Sequence, residues 1–201
     1  MPKYASRSIV GVLALLVVPH VSSAQHGGAA SPIASAAPRE ATQFDFLVGQ
    51  WELVAQPMAS GLAARIHGVP KLRGTWKAWR AFDGWGIEDE LRLTDESGNP
   101  RLLSHQMRIY DVTARRWNNS ALDVYRTTFS MSTAKWRDGW MLVSARGTDQ
   151  EGRAYVARIR FSDITPTRFR YQIDRSFDNE KSWTEGVMKI EAKRVSAVAP
   201  R

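Results

Sequence analysis

Residues 44–53 read FDFLVGQWEL, and the change of rhythm inside them decides the fold. Phe44, Leu47 and Val48 fall at i, i+3 and i+4, one face of a single helical turn. A turn that short is stable only when packed on something larger. Gly49 follows, and from Trp51 onward the spacing changes to period two, with Trp51, Leu53 and Ala55 on one parity and Glu52, Val54 and Gln56 on the other. The stretch therefore predicts a small plug that turns directly into the first strand of a sheet.

Working outward, period two continues almost to the end of the chain. Residues 72–82 alternate up to Asp83-Gly84, a hairpin signal. Residues 87–93 lead into the turn formers of 96–100, and 102–110 lead into a turn at 111–115. Further strands are predicted over 117–125, 127–136, 140–148, 155–161, 169–177 and 183–193, with turns at Asp138-Gly139, 149–152, 165–167 and 178–181. Consecutive short connections imply antiparallel neighbours, and even spacing points to a sandwich or an up-and-down barrel. Closure removes the exposed edges of a long open sheet. The expectation is an all-β protein: an antiparallel up-and-down barrel of about ten strands over residues 41–195, with the plug at its N-terminal end.

The chain before this domain has a different character. Lys3 and Arg7 precede an uncharged apolar run at 9–18, Pro19 breaks it, and Val21-Ser22-Ser23-Ala24 supplies small residues for a cut after Ala24. That is the secretory leader pattern, and ten apolar residues fall short of the ~20 that a membrane span takes. Residues 1–24 are thus read as a cleaved signal peptide, 25–40 as a Gly/Ala/Ser/Pro tether and 196–201 as a disordered tail, which places the protein in the periplasm or outside the cell. The formal net charge is +8, but basic residues alternate with acids (Arg92 near Asp95, Arg108 near Asp111) instead of forming a run, so a salt-laced surface is expected rather than a nucleic-acid interface. With no cysteine, the fold has no disulfides to rely on.

Several stretches together resemble a family of secreted bacterial proteins with lipocalin-like (calycin-type) barrels and no assigned function. They are Phe44-Asp45-Phe46 with Gly49-x-Trp51, Arg80-x-Phe-Asp83-Gly84 with Ile87-x-Asp-Glu90, Tyr110-Asp111 with Trp117, and Asp174-x-Ser-x-Asp178 with Lys181-x-Trp183. In the wider calycin group the Gly-x-Trp tryptophan lies across the barrel end under a basic side chain of the last strand. The resemblance implies structural roles for Gly49, Trp51 and Arg194, or Lys193 if the register differs by one. A neighbouring architecture binds haem through a histidine. Of His26, His67 and His105 only the last sits on a predicted strand, and no haem-ligand motif surrounds it, so no cofactor is expected.

The chemistry-bearing residues are few. Glu88 and Glu90 share one parity and Asp89 the other, which reads either as a solvated acidic face balanced by Arg92 and Arg80 or as interior carboxylates. Leu103, His105, Met107 and Ile109 form the more apolar parity of their strand and are therefore expected to face inward. His105, with Asp89 or Glu90, is the one weak catalytic candidate, since histidine alone titrates near neutrality unperturbed. No nucleophile motif and no metal-ligand cluster is present. The eight tryptophans carry the strongest signal: they either pack the barrel or line a cavity for a flat or apolar molecule. The main expectation is an exported barrel binding a small apolar or aromatic molecule, with Trp76, Trp117, Trp136 and Met107 lining the cavity and Arg80, His105, Arg108 and Tyr110 near its mouth. The rivals are an enzyme using His105 and a filled barrel serving as a structural or interaction module.

Overall fold

The computed structural model describes residues 36–59, 68, 70–149 and 151–195. The expected leader (1–24), most of the tether, His26, His67 and the tail (196–201) lie outside them. Among the described residues no helix is long and apolar enough to cross a membrane.

Ten strands form one closed antiparallel barrel: β1 (Gly49–Pro57), β2 (Leu72–Ala81), β3 (Gly86–Thr94), β4 (Pro100–Asp111), β5 (Arg116–Asp123), β6 (Thr128–Arg137), β7 (Trp140–Thr148), β8 (Ala154–Ser162), β9 (Arg168–Ser176) and β10 (Thr184–Arg194). Each pairs with its sequence neighbours, and β1 closes the ring against β10, from Trp51 opposite Arg194 to Pro57 opposite Met188. Turn chemistry drives this meander. At the β6–β7 hairpin Asp138 and Gly139 both have positive φ, 49° and 82°, the backbone that a two-residue turn of this twist requires.

The plug consists of two 3-10 turns, Arg39–Thr42 and Asp45–Leu47, so the fold begins slightly before residue 41. Phe44 and Leu47 are fully buried. Phe44 meets Trp117 edge-on with ring centroids 4.8 Å apart and Phe161 at 6.0 Å; Phe46 meets Phe161 and Phe169 edge-on as well. Trp51, Trp76, Trp117, Phe161 and Phe169 complete this closed end.

The turn from plug to β1 depends on Gly49, whose φ is +126° and whose missing side chain leaves room for Arg194; a Cβ there would lie 2.3 Å from Nη1. The basic residue over Trp51 is Arg194, with its guanidinium carbon 4.1 Å from the ring centroid, while it donates to the carbonyls of Val48 (2.8 Å), Pro166 (2.6 Å) and Phe46 (3.3 Å). Trp51 Nε1 in turn donates to Leu47 O at 2.8 Å. Plug, first strand and last strand are thus tied by one side chain.

Asp174 has an equivalent structural task on the outer face of β9. Although it points away from the interior, it is fully buried. It accepts from Gln172 (2.7 Å), from the Gly186 N–H (2.9 Å) at the bulge of β10, and from Arg158 and Arg160 (3.1 Å each). Burial works to raise its pKa, but these donors hold it below the usual carboxylate value. Arg158 also lies 4.3 Å over Trp183. The Asp174…Trp183 stretch is a clasp for the last hairpin.

Candidate functional site

Burial separates the two faces of every strand. Trp51, Leu53 and Ala55 of β1 face inward, and register carries that face to Trp76, then to Asp89, Leu91 and Leu93, then to Leu102, Ser104, Gln106 and Arg108. Above the aromatic closed end the described residues leave a cavity that opens at the end of the barrel bearing the β3–β4, β5–β6 and β7–β8 turns; its volume of about 2040 Å³ includes space over the outer faces of β5, β6 and β7, beside Asn118, Thr133 and Ser144. Small-molecule sites are commonly ~300–1,000 Å³, so the space is ample for an organic ligand. The described residues therefore leave the interior unfilled, which favours the cavity expectation over the filled barrel.

The lining is divided. Leu72, Leu91, Leu93, Ile159, Ile173 and Met188 present an apolar wall, whereas Ser104, Gln106, Ser130 and Ser132 make a polar one on β4 and β6. At the floor lies a buried ion pair. Asp89 is 0% and Arg108 3% exposed. Arg108 Nε donates to Asp89 Oδ2 at 2.6 Å and Nη2 to Gln106 Oε1 at 2.8 Å, while Trp76 Nε1 donates to Asp89 Oδ1 at 2.7 Å. The guanidinium also sits 4.9 Å above Phe44. A charge removed from water is tolerated only when paired and hydrogen-bonded in this way.

Tyr171 stands beside this network, with its ring 5.0 Å from Phe161 and 5.6 Å from Trp76. Burial, reinforced by the Asp89 carboxylate and opposed by Arg108, pushes its pKa up to about 12. It keeps its proton at any physiological pH and remains a potential donor to a guest. Asn119, also buried, donates to Ser132 Oγ at 3.1 Å, and its Oδ1 has no partner among the described residues.

The inward parity of β4 is the reverse of the expected one. His105, Met107 and Ile109 lie on the outer face; the His105 side chain is 40% exposed, 3.6 Å from Glu88, and the exposed Trp79 ring is 5.9 Å away. Asp89 is on the other side of the sheet, and Glu90 faces outward with Arg92. His105 therefore cannot work with Asp89 inside the cavity, and that catalytic reading falls. The acidic stretch divides as period two requires: Glu88 and Glu90 form the solvated face and Asp89 the buried partner.

Other expected ligand contacts also lie elsewhere. Arg80 is at the closed end, not the mouth, donating to Ala41 O (3.3 Å) and to Asp45, so it clamps the plug. Tyr110 and Trp117 are core residues of that end, 5.6 Å apart, and Trp117 Nε1 donates to Gln43 Oε1. Trp136 leans on Phe46 at 6.2 Å, again at the closed end. Arg108 and Trp76 remain, as members of the floor network. Among the described residues no tryptophan lines the cavity; its inward aromatic residues are Tyr155 and Tyr171, while Phe129 is on the outer parity of β6 and exposed. Sequence reading missed Tyr171, Gln106, Ser104 and Arg175. The available signal was parity: once Trp51 is taken as inward, counting through the hairpins puts Gln106 and Arg108 inside.

Taken together, fold and cavity define a lipocalin-like antiparallel barrel with an open interior. No family model and no curated protein matches the chain. Among solved structures it is similar to the S-type phycobiliprotein lyase CPES from Guillardia theta, with 10% identity over 77% of this chain and 92% of that one and a TM-score of 0.51. It is also similar to EF1p2_mFAP2b bound to DFHBI, with 9% identity over 77% of this chain and 98% of that one and a TM-score of 0.40. At such identities the first likeness shows the fold alone.

Proposed function

We propose that this protein is an exported barrel that binds a small, largely apolar molecule in its interior, with a polar edge of the guest turned toward β4 and β6. The observation that carries the reading is the divided cavity: an apolar wall gives burial, and Ser104, Gln106, Ser130 and Ser132 give directional contacts to one side. Tyr171, held protonated, supplies a further donor near the floor. The resemblance of the sequence motifs to a family of secreted bacterial proteins agrees with the export half of this reading, as does the leader pattern of residues 1–24.

Titration with the uncharged fluorophore N-phenyl naphthylamine tests the binding half. Saturable enhancement at one probe per chain is expected, and Ala121→Trp, which places an indole inside beside Gln106 and Ser130, is expected to weaken it about tenfold or more by removing volume. No saturable binding by the folded wild-type protein would end the reading. The export half is checked by the intact mass of protein from a periplasmic extract, expected to begin at Gln25; full-length chain confined to the cytoplasm would refute it.

A further inference from the structure

We propose that the molecule held in the cavity carries an anionic group and that Arg175 receives it. This rests on the cavity being the binding site, and it adds the chemical class of the guest. Arg175 is on the inward parity of β9, opposite Ala157, and lines the cavity. Its Nε is buried with no hydrogen-bond partner among the described residues. The neighbouring carboxylate, Asp174, is on the opposite face of the sheet and is held by Arg158 and Arg160. Three other cations about the rim have acidic partners: Arg101 with Asp95, Arg126 with Asp123 and Arg153 with Asp149; Arg146, by contrast, is on the outer parity of β7.

The guanidinium is also held in place. It lies 4.3 Å over the Tyr155 ring. That ring in turn occupies the space left by Gly147, where a Cβ would come within 2.6 Å of the tyrosine hydroxyl. Opposite it on β8 is the small side chain of Ala157. A fixed planar cation with a covered, unmatched donor is a receptor for a carboxylate or sulfonate, whose oxygens accept from the guanidinium fork. Below it, Ile173 and Ile159 begin the apolar wall, so the guest is an amphipathic acid: anionic head toward the mouth, apolar body toward the floor.

Two fluorophores with one skeleton separate this inference from the cavity reading: anilinonaphthalene sulfonate and the uncharged N-phenyl naphthylamine. The wild-type protein is expected to bind the sulfonate about tenfold or more tightly than the amine, the size of one charge-assisted contact. Arg175→Met should abolish that preference while leaving the affinity for the amine within about twofold, and Arg175→Lys should retain part of it. Equal affinities in the wild type, or a preference that survives Arg175→Met, overturn the inference and leave the cavity reading standing. Failure of both probes to bind removes both readings. Competition on the wild type by dodecanoate and its methyl ester gives the same comparison without a substitution: stronger displacement by the acid is expected, and equal displacement overturns the inference.

Discussion

Asp89 and Arg108 sit diagonally across β3 and β4, a charged pair packed against the aromatic and aliphatic core. Their pairing is complete: the carboxylate takes Trp76 and Arg108, and the guanidinium also takes Gln106. Removing one member leaves a buried charge without its partner, at a cost of about 3–5 kcal/mol. Asp89→Asn and Arg108→Met are each expected to lose about that much in urea unfolding, and the double variant much less than the sum. Strict additivity would show that the two do not act as a unit. Neither charge announces itself in the sequence. Arg108 shares its parity with Ser104 and Gln106, which reads as a solvent face, and only the surrounding strands make it an interior one.

At the scale of the element, hairpins at the open end are held by acids that cap their own turns. Asp178 accepts from Ser182 Oγ (2.6 Å), the Ser182 N–H (2.9 Å) and Ser176 Oγ (2.8 Å), and these donors, the Ser182 hydroxyl first, lower its pKa from 3.8 to about 2. Asp95 is lowered to about 2 by Asn99 and then Arg101. A carboxyl whose pKa falls on folding stabilises the native state above its unfolded value, and that contribution disappears as pH drops through the folded one. Both hairpins should therefore weaken between pH 3.8 and about 2. The urea midpoint is expected to fall across that window, and to fall less in Asp95→Asn/Asp178→Asn. An unchanged slope in the double variant would remove these turns as the cause. Such motifs are legible from sequence, because Asp-x-x-Gly and Ser-x-Asp-x-x-x-Ser act within a few residues.

Across the whole molecule the barrel has two unlike ends. The plug end is packed with Phe44, Leu47, Trp51, Trp117, Phe161 and Phe169, while the other end opens into the cavity. Most tryptophans that suggested a ligand site are absorbed in the closed end or lie on the outer face, and the cavity is lined by residues with a weaker signature. Outward exposure of Met107 and Ile109 beside inward burial of Arg108 shows why hydrophobicity misjudged β4. Its more apolar parity is the outer one, so the strand's own pattern does not specify its orientation and the register with β3 does.

Sequence alone determined the ten strands, their turns, the antiparallel meander and the plug, because each depends on residues near in sequence; the tie to Trp51 was expected from family resemblance at Arg194 or Lys193, and the β1–β10 register decided for Arg194. Tertiary structure decided which face of each strand is inside, where the charges pair and where the space lies. Period two supplies two faces without naming the inner one. Closure couples all ten strands through a single register, so the inward face of β1 sets that of its neighbours around the ring.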